Sequence, residues 1–377
     1  MTEKRTMRVA VNVVEAERGK SYVQLVWRNF KKNRMGLLGG VIIVTLAFLS
    51  LFAPFFAPHD YYKLDADKAY RPPQRIRFFD AEGKFHWRPF VYDLKLDIDP
   101  VTFSRIYRED TSKPLYIRFF VRGWEYQIFG FRSTLHLFGV EEGSIHLLGT
   151  DRLGRDLLGR ILHGGRVSLT IALFGAVVTV ILGSILGALS GYYGGFVDML
   201  VQRAVEVLQS FPQLPLWMAL TAALPRTWSS LQVFVCMVVI FSFLNWPMLA
   251  REIRGKVLSL REQDFIVAVK EMGGSNSRAI FRHLLPNCLS HMIVVLTISI
   301  PELILMESVL SFLGLGIQPP MISWGVLLQG AQRIEVIGLY PWVMFPCAFI
   351  ILAVLGFNFL GDGLRDAADP YSVRRSY

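Results

Sequence analysis

Long apolar runs alternate with short charged segments along this 377-residue chain. Six windows have the roughly 17–25 apolar residues that a helix needs to cross a bilayer. They are residues 35–57, 167–193, 207–224, 228–250, 288–313 and 340–360. Pro212 and Pro215 interrupt the third window and must break or kink a helix there. The pattern predicts an all-α integral membrane protein with about six transmembrane helices.

Basic residues beside these windows predict which side of the membrane each loop occupies. Residues 28–34 contain four Lys or Arg residues and residues 251–287 contain seven, whereas the opposite short loops carry only Arg226 and Arg333. Short cytoplasmic loops are enriched in Lys and Arg. Both termini and the segment 251–287 are therefore predicted to be cytoplasmic.

The segment 58–165 is a long insertion between the first two windows. It is rich in charges of both signs, and loops beyond about 60 residues cross the membrane largely regardless of charge. The orientation above therefore places it outside the cytoplasm. Aromatic and charged residues alternate roughly over residues 84–99, which favours a few strands and a small folded ectodomain.

Composition supports a membrane protein and argues against several other classes. Charged residues make up 19% of the chain, below the roughly 25% of soluble domains. The net charge of +10 comes mostly from residues that flank apolar runs, so nucleic acid is not an expected partner. Cys236, Cys288 and Cys347 all lie in apolar runs and offer no disulfide or metal-ligand spacing.

The sequence shows no catalytic machinery. The nearest fragment of a phosphate-binding loop, Gly19-Lys20-Ser21, has Val14 where the first glycine is required. This fragment therefore predicts no nucleotide site, and no cofactor is expected on this chain. An intramembrane protease would need a convergent set of catalytic groups within the spans, and His291 has no evident companion.

Two features inside the windows are candidates for packing or transport. Gly183, Gly187 and Gly191 recur every four residues and form a flat helix face that admits a neighbouring helix. Glu302 and Glu307 are carboxyl groups within the fifth window, where charge is costly. They either line a translocation pathway or form hydrogen bonds between helices.

The segment 264–287, DFIVAVKEMGGSNSRAIFRHLLPN, predicts two short helices. A glycine turn at Gly273-Gly274 separates them, and the second is expected to end before Pro286. Several apolar residues lie in this otherwise charged loop, and such a patch requires a partner. The residues alone leave two readings open: contact with another protein, or an amphipathic helix on the membrane.

The same segment resembles the cytoplasmic coupling loop, or EAA loop, of binding-protein-dependent ABC import permeases. Ala268, Gly273 and Leu285-Pro286 match its alanine, its glycine and its closing Leu-Pro, whereas Val267 and Val269 depart from its glutamate and second alanine. In that family the loop docks into a groove on the ATPase. The candidate coupling residues are Phe265, Val267, Ala268, Val269, Gly273, Gly274, Leu285 and Pro286.

Four further stretches are similar to the peptide/nickel branch of these permeases, in its second-permease (C-type) form. They are LGTDRLGRDLLGRILHGGRVSL (148–169), GYYGGFVD (191–198), ESVLSFLGLGIQPPMISWG (307–325) and NFLGDGLRDAADP (358–370). The resemblance covers the first window and nearly everything from residue 148 onward. Most of 58–147 lies outside it.

The resemblance implies a domain plan. The expected parts are a cytoplasmic segment (1–34), a first transmembrane helix (35–57), the extracytoplasmic insertion (58–165), the transporter membrane domain (166–363) with its coupling loop (251–287), and a cytoplasmic tail (364–377). The implied setting is the bacterial inner membrane. The implied partners are a second homologous permease, two ATPase subunits that bind ATP and Mg²⁺, and an extracytoplasmic solute-binding protein.

The implied function is ATP-driven import, with this chain forming half of the pathway for short peptides. Oligosaccharides, opines and nickel chelates are alternative substrates of the same machinery. A secondary transporter is the alternative from another class, and it predicts charged groups deep in several spans. The first, second, fourth and sixth windows carry none.

Overall fold

The computed structural model describes residues 22–98, 100, 105–225 and 227–368. The Gly19-Lys20-Ser21 fragment, Arg226 and the end of the predicted tail lie outside these ranges. Within them, five helical stretches are long and apolar enough to cross a membrane. They are Arg34–Leu51, Leu157–Tyr193, Ser230–Leu260, Asn276–Phe312 and Pro341–Ala368. The prediction of a helical membrane protein is thereby confirmed.

The α-helices are numbered in chain order. Before the second long stretch they are α1 (Tyr22–Phe30), α2 (Arg34–Leu51) and α3 (Ala53–Phe56). The middle of the chain forms α4 (Leu157–Tyr193), α5 (Gly195–Gln209), α6 (Gln213–Ala222), α7 (Ser230–Leu260), α8 (Asp264–Glu271) and α9 (Asn276–Arg278). The last part forms α10 (Leu285–Phe312), α11 (Trp324–Leu328), α12 (Ile334–Leu339) and α13 (Phe345–Ala368).

The third predicted window is not one helix. It is divided between the end of α5 and the ten-residue α6, so five helical stretches rather than six reach spanning length among the described residues. Pro212 is the N-cap of α6 and has extended backbone angles. Proline has no N–H to continue the ladder of α5 and clashes with the preceding turn, so the helix ends and restarts here.

Helix α4 begins ten residues before its predicted window, so the insertion ends at Asp156 rather than at residue 165. The Asp156 side chain caps the helix by accepting a hydrogen bond from the Gly159 N–H at 2.7 Å. The first turns of α4 contain polar residues, so the pattern of apolar residues did not predict them. Arg166, for example, lies inside the helix and donates to the carbonyl oxygens of Ser50 and Leu51, each at 2.7 Å, at the end of α2.

The glycine face of α4 lies directly against α7. A Cβ atom on Gly183 would be 3.0 Å from the Trp246 carbonyl oxygen, and one on Gly191 would be 2.8 Å from that of Arg254. A Cβ atom on Gly187 would be 2.9 Å from the Ala250 Cα. These two backbones can approach this closely only because the three positions lack side chains.

The membrane core is centred between α4, α7, α10 and α11. Its large buried side chains include Trp217, Phe241, Met237 and Trp324. The Trp324 indole N–H donates to the Ile161 carbonyl oxygen at 2.9 Å, so α11 is attached to the first turns of α4. A buried Trp usually finds such a partner for its polar N–H.

The insertion consists of two antiparallel sheets. The first contains β1 (Arg77–Phe79), β2 (Phe85–Ile98) and β3 (Arg105–Tyr116), in that order. The second is a hairpin of β4 (Arg118–Ile128) and β5 (Phe131–Gly139). The predicted strand over 84–99 agrees with β2. A small apolar core joins the sheets through Val91, Leu115, Ile117 and Ile145.

We predict that Gly187→Ala destabilises the folded chain, because the added methyl group forces α4 and α7 apart. Overpacking of this kind costs about 1–3 kcal/mol. Gly255→Ala is the matched control, since a Cβ there meets no heavy atom within 4 Å. It should be neutral or stabilising, since alanine favours a helix over glycine by about 1 kcal/mol. Thermal unfolding in detergent measures both, and equal melting temperatures would contradict the close approach.

Candidate coupling surface

The segment 264–287 begins as a helix that is closed by a glycine turn. Helix α8 ends at Glu271, and Gly273 has a φ of 77°. The Gly273 N–H donates to the Lys270 carbonyl and the Gly274 N–H to the Val269 carbonyl, both at 2.9 Å. This pair of bonds is a Schellman motif, which needs a residue that tolerates positive φ.

The second glycine of the turn is needed for close packing. A Cβ atom on Gly274 would be 2.6 Å from the Val269 carbonyl oxygen. Ser275 then starts α9 by accepting a hydrogen bond from the Arg278 N–H at 3.3 Å. The turn therefore reverses the chain within a few residues and returns it towards the bundle.

The structure corrects one expectation for this segment. The helical stretch after the turn does not end before Pro286, because a π-helical turn over Ala279–Leu284 leads directly into α10. Pro286 lies in the first turn of α10. The wider π turn accommodates a residue that has no N–H and whose ring would clash with the carbonyl four residues earlier. Leu285-Pro286 thus joins the segment to a spanning helix without a break.

Helix α8 has two apolar faces with different surroundings. Ile266 and Val269 are buried against the bundle, in a cluster with Val257 and Leu284. Phe265, Val267, Ala268 and Met272 are exposed. Phe265, Ala268 and Met272 recur at helical spacing on one side, and Met272 is 79% exposed. We call Phe265, Ala268 and Met272 the outer face of α8.

Two contacts attach this segment to the end of α4. The Tyr192 hydroxyl donates to Asn276 Oδ1 at 2.7 Å. The Lys270 ammonium lies 4.9 Å from the centre of the Tyr192 ring, a cation–π contact. Tyr192 is adjacent in sequence to Gly191, which packs against α7. The position of α8 therefore depends on the packing of α4 against α7.

A polar clamp of Ser190, Asp198 and Arg254 joins α4, α5 and α7. Arg254 donates two hydrogen bonds of 2.6 Å to the Asp198 carboxylate, and the Ser190 hydroxyl donates to the same carboxylate at 2.5 Å. The hydrogen bonds from Arg254 lower the pKa of Asp198 from its usual value. This pair could not be recognised from the sequence, because 56 residues separate its members and each of them alone is typical of a surface charge. Close by, His291 Nε2 lies 2.8 Å from Glu252 Oε2.

The two glutamates of the fifth window lie in different places. Glu307 is fully buried and accepts hydrogen bonds from Ser168 at 2.9 Å and Ser311 at 2.7 Å. Within this chain it joins α4 to α10, which agrees with the predicted hydrogen bonding between helices. Glu302 lies on an exposed strip of α10 with Ile298, whose side chain is likewise exposed.

The motif at 148–169 builds the corner between the insertion and α4. Asp156 accepts from the helix and also lies 2.9 Å from His146 Nδ1. The His59 ring is 4.8 Å from that of His146, and burial lowers the pKa of His59 to about 4. Arg155 pairs with Asp151 at 2.8 Å. Asp151, Arg155 and Asp156 of this motif are thus engaged within the chain.

No group of three or more His, Cys, Asp or Glu side chains that could hold a metal ion occurs in the described part of the chain. The structure brings the candidate residues together in two places. One is the exposed apolar outer face of α8, which is suited to docking. The other is the glycine face of α4 with the neighbouring polar clamp, which packs helices together.

Comparisons with known proteins agree with these features. Residues 180–372 match the family described as "Binding-protein-dependent transport system inner membrane component". Residues 21–73 match the "N-terminal TM domain of oligopeptide transport permease C". The first match begins inside α4 and contains the whole segment 264–287. The second contains α2 and the start of the insertion.

Individual relatives extend the comparison. The chain is 42% identical over 226 residues to the dipeptide transport system permease protein DppC of Alkalihalophilus pseudofirmus. This alignment covers 60% of this chain and 72% of that protein. It is 44% identical over 227 residues to OppC of Haemophilus influenzae, 60% of this chain and 70% of that protein.

A longer match, at 28% identity over 366 residues, is to OppC of Bacillus subtilis. It covers 96% of this chain and 95% of that protein, so it necessarily includes most of the insertion. The family match over residues 180–372 and these relatives show that the chain belongs to the family of inner membrane components of binding-protein-dependent transport systems.

Proposed function

We propose that this chain is the permease subunit of an ATP-driven importer of short peptides, and that it forms half of the pathway with a second, homologous permease. The observation that carries the proposal is the outer face of α8. Its three apolar side chains face away from the bundle, while the rest of the segment is anchored to α4 and α10. An exposed apolar patch on a fixed support requires a partner.

The proposed partner at this face is one of two ATPase subunits, which bind ATP and Mg²⁺ while this chain binds no cofactor. The inner face of α8 is packed on the bundle, so a displacement of α8 moves α4 through Tyr192 and α10 through the π turn. A membrane-lying helix would bury the same outer face in lipid. The Schellman turn and the direct entry into α10 instead favour a protein contact that transmits force.

We assign the exposed strip of α10 to the second permease and the pathway between the two. The strip carries Ile298, Glu302, Leu305 and Val309 at helical spacing. A carboxyl group is costly towards lipid, so Glu302 favours a protein or water surface on this side. Alternating access then requires two arrangements of the paired subunits with similar free energies.

The substrate assignment rests on the relatives. Those reported above are named as dipeptide and oligopeptide permeases, which favours peptides over oligosaccharides, opines or nickel chelates. An extracytoplasmic binding protein would deliver the peptide. A secondary transporter is disfavoured, since its ion-coupling sites require several charged groups inside the spans, and Glu307 is engaged by serine hydroxyls instead.

We predict that Ala268→Asp leaves the permease in the membrane but abolishes transport and co-purification of the ATPase. A carboxylate at a closely packed apolar contact loses its water without gaining a partner, which typically costs several kcal/mol. Ser259→Asp adds the same charge to an exposed position near the end of α7 and should transport normally. Normal transport by Ala268→Asp with its ATPase attached would refute docking at this face.

We expect single cysteines to report the orientation, in a background without Cys236, Cys288 and Cys347. Glu82→Cys lies in an exposed turn of the insertion, and Ser277→Cys is exposed in α9. The arginine and lysine asymmetry of the loops implies that an impermeant maleimide labels residue 82 in intact cells and residue 277 only after lysis. The reverse pattern would invert the proposed topology.

The substrate class is tested with the reconstituted complex of both permeases, the ATPases and the binding protein. We expect a mixture of short peptides to stimulate ATP hydrolysis several-fold and an oligosaccharide mixture to have no effect. Stimulation by oligosaccharides alone would refute the peptide assignment but leave the importer assignment intact. Solute uptake without ATP, driven by an ion gradient, would refute both.

A further inference from the structure

The hairpin of β4 and β5 exposes four phenylalanine side chains. Phe119, Phe120, Phe129 and Phe131 are 62%, 64%, 71% and 79% exposed. Such a set on one two-stranded hairpin is an apolar surface that water solvates poorly. Nothing in the peptide-import function of the chain calls for it.

Two of these phenylalanines occupy backbone positions that a bulky side chain normally avoids. Phe120 has a φ of 57° and Phe129 a φ of 49°. Phe129 and Gly130, with a φ of 87°, form the two-residue turn between the strands. Such turns favour Asn-Gly or Asp-Gly, since both central residues need positive φ. An aromatic ring is therefore kept at this turn against the local preference of the backbone.

Both of these rings meet the chain where it leaves the first long helix. The Phe129 ring centre is 6.4 Å from that of Phe52, and the Phe120 ring centre is 6.5 Å from that of Phe55. Phe52 is in turn 4.8 Å from Phe48 on α2. The aromatic surface of the hairpin is thus continuous with the exposed surface of a membrane-length helix.

Hydrogen bonds fix the hairpin in this position. His136 of β5 is buried, and its Nδ1 lies 2.9 Å from the Pro54 carbonyl oxygen. The Trp124 indole N–H of β4 donates to the Ala57 carbonyl oxygen at 3.3 Å. One bond from each strand therefore holds the hairpin beside α3, at the end of α2.

The length of α2 places this contact at the edge of the bilayer. Its 18 residues span about 27 Å at a rise of about 1.5 Å per residue. The hydrocarbon core of a bilayer is about 30 Å thick. With Arg34 at one boundary, the phenylalanines that follow Leu51 lie at the other, where amphipathic and aromatic elements bind the region between headgroups and acyl chains.

We propose that the β4–β5 hairpin is an interfacial anchor, and that Phe119, Phe120, Phe129 and Phe131 insert into the phospholipid leaflet around α2. The occupant is lipid because the surface continues that of a spanning helix at the depth of the leaflet boundary. The exposed aromatic residues of the first sheet instead meet one another. The ring centre of Phe85 lies 5.3 Å from that of Phe79 and 5.4 Å, edge-on, from that of Trp87, which is 89% exposed.

The test uses nitroxide labels on the complete transporter in vesicles of phosphatidylethanolamine and phosphatidylglycerol. One label is placed at Phe131→Cys and the control at Trp87→Cys, without the three native cysteines. Collision with oxygen reports lipid exposure and collision with a nickel chelate reports water exposure. We expect the oxygen-to-nickel ratio to be several-fold higher at residue 131 than at residue 87.

Two results would overturn the anchor. Equal ratios at the two labels would place the hairpin in water, and exclusion of both reagents at residue 131 would show that another protein subunit covers it. A second variant, Phe120→Asn with Phe129→Asn, keeps the backbone, because Asn tolerates positive φ. The ratio at residue 131 should fall at least twofold in this variant, and an unchanged ratio would also refute the anchor.

Discussion

The close approach of α4 and α7 is the constraint on which the rest of the membrane domain depends. Without side chains at Gly183, Gly187 and Gly191, the two backbones touch at three positions over about two helical turns. That contact brings Arg254 to Asp198 and leaves Tyr192 beside the segment 264–287. A wider spacing would separate all of these polar partners at once, because each bond joins groups carried by different helices.

In the proposed mechanism this rigidity decides where motion can occur. Helix α8 is held from behind by Ile266 and Val269 and presents its outer face to a partner. A push on that face is not absorbed by an irregular loop, since the Schellman turn, α9 and the π turn lead from α8 into α10. The displacement passes instead to a helix that runs to Phe312 and carries Glu302 on its exposed strip.

Local patterns predicted much of this structure, whereas contacts between distant residues escaped prediction. The spans, the glycine face and the turn at Gly273 follow from the spacing of apolar residues and glycines, which acts within one or two turns of helix. The start of α4 was predicted too late in the chain, because Arg166 alone is typical of a loop. Only the folded structure shows that it donates hydrogen bonds to carbonyl groups of α2. The burial of Glu307 and the clamp of Asp198 depend in the same way on partners from other helices.

The position of Glu307 also has a consequence for how the protein is made. A carboxyl group is expensive in a bilayer unless a polar partner meets it, and its partner Ser168 precedes it by 139 residues. Since chains emerge from the ribosome N-terminus first, α4 is already in the membrane when α10 arrives. Biosynthetic order therefore supplies the hydroxyl group before the carboxyl group that needs it.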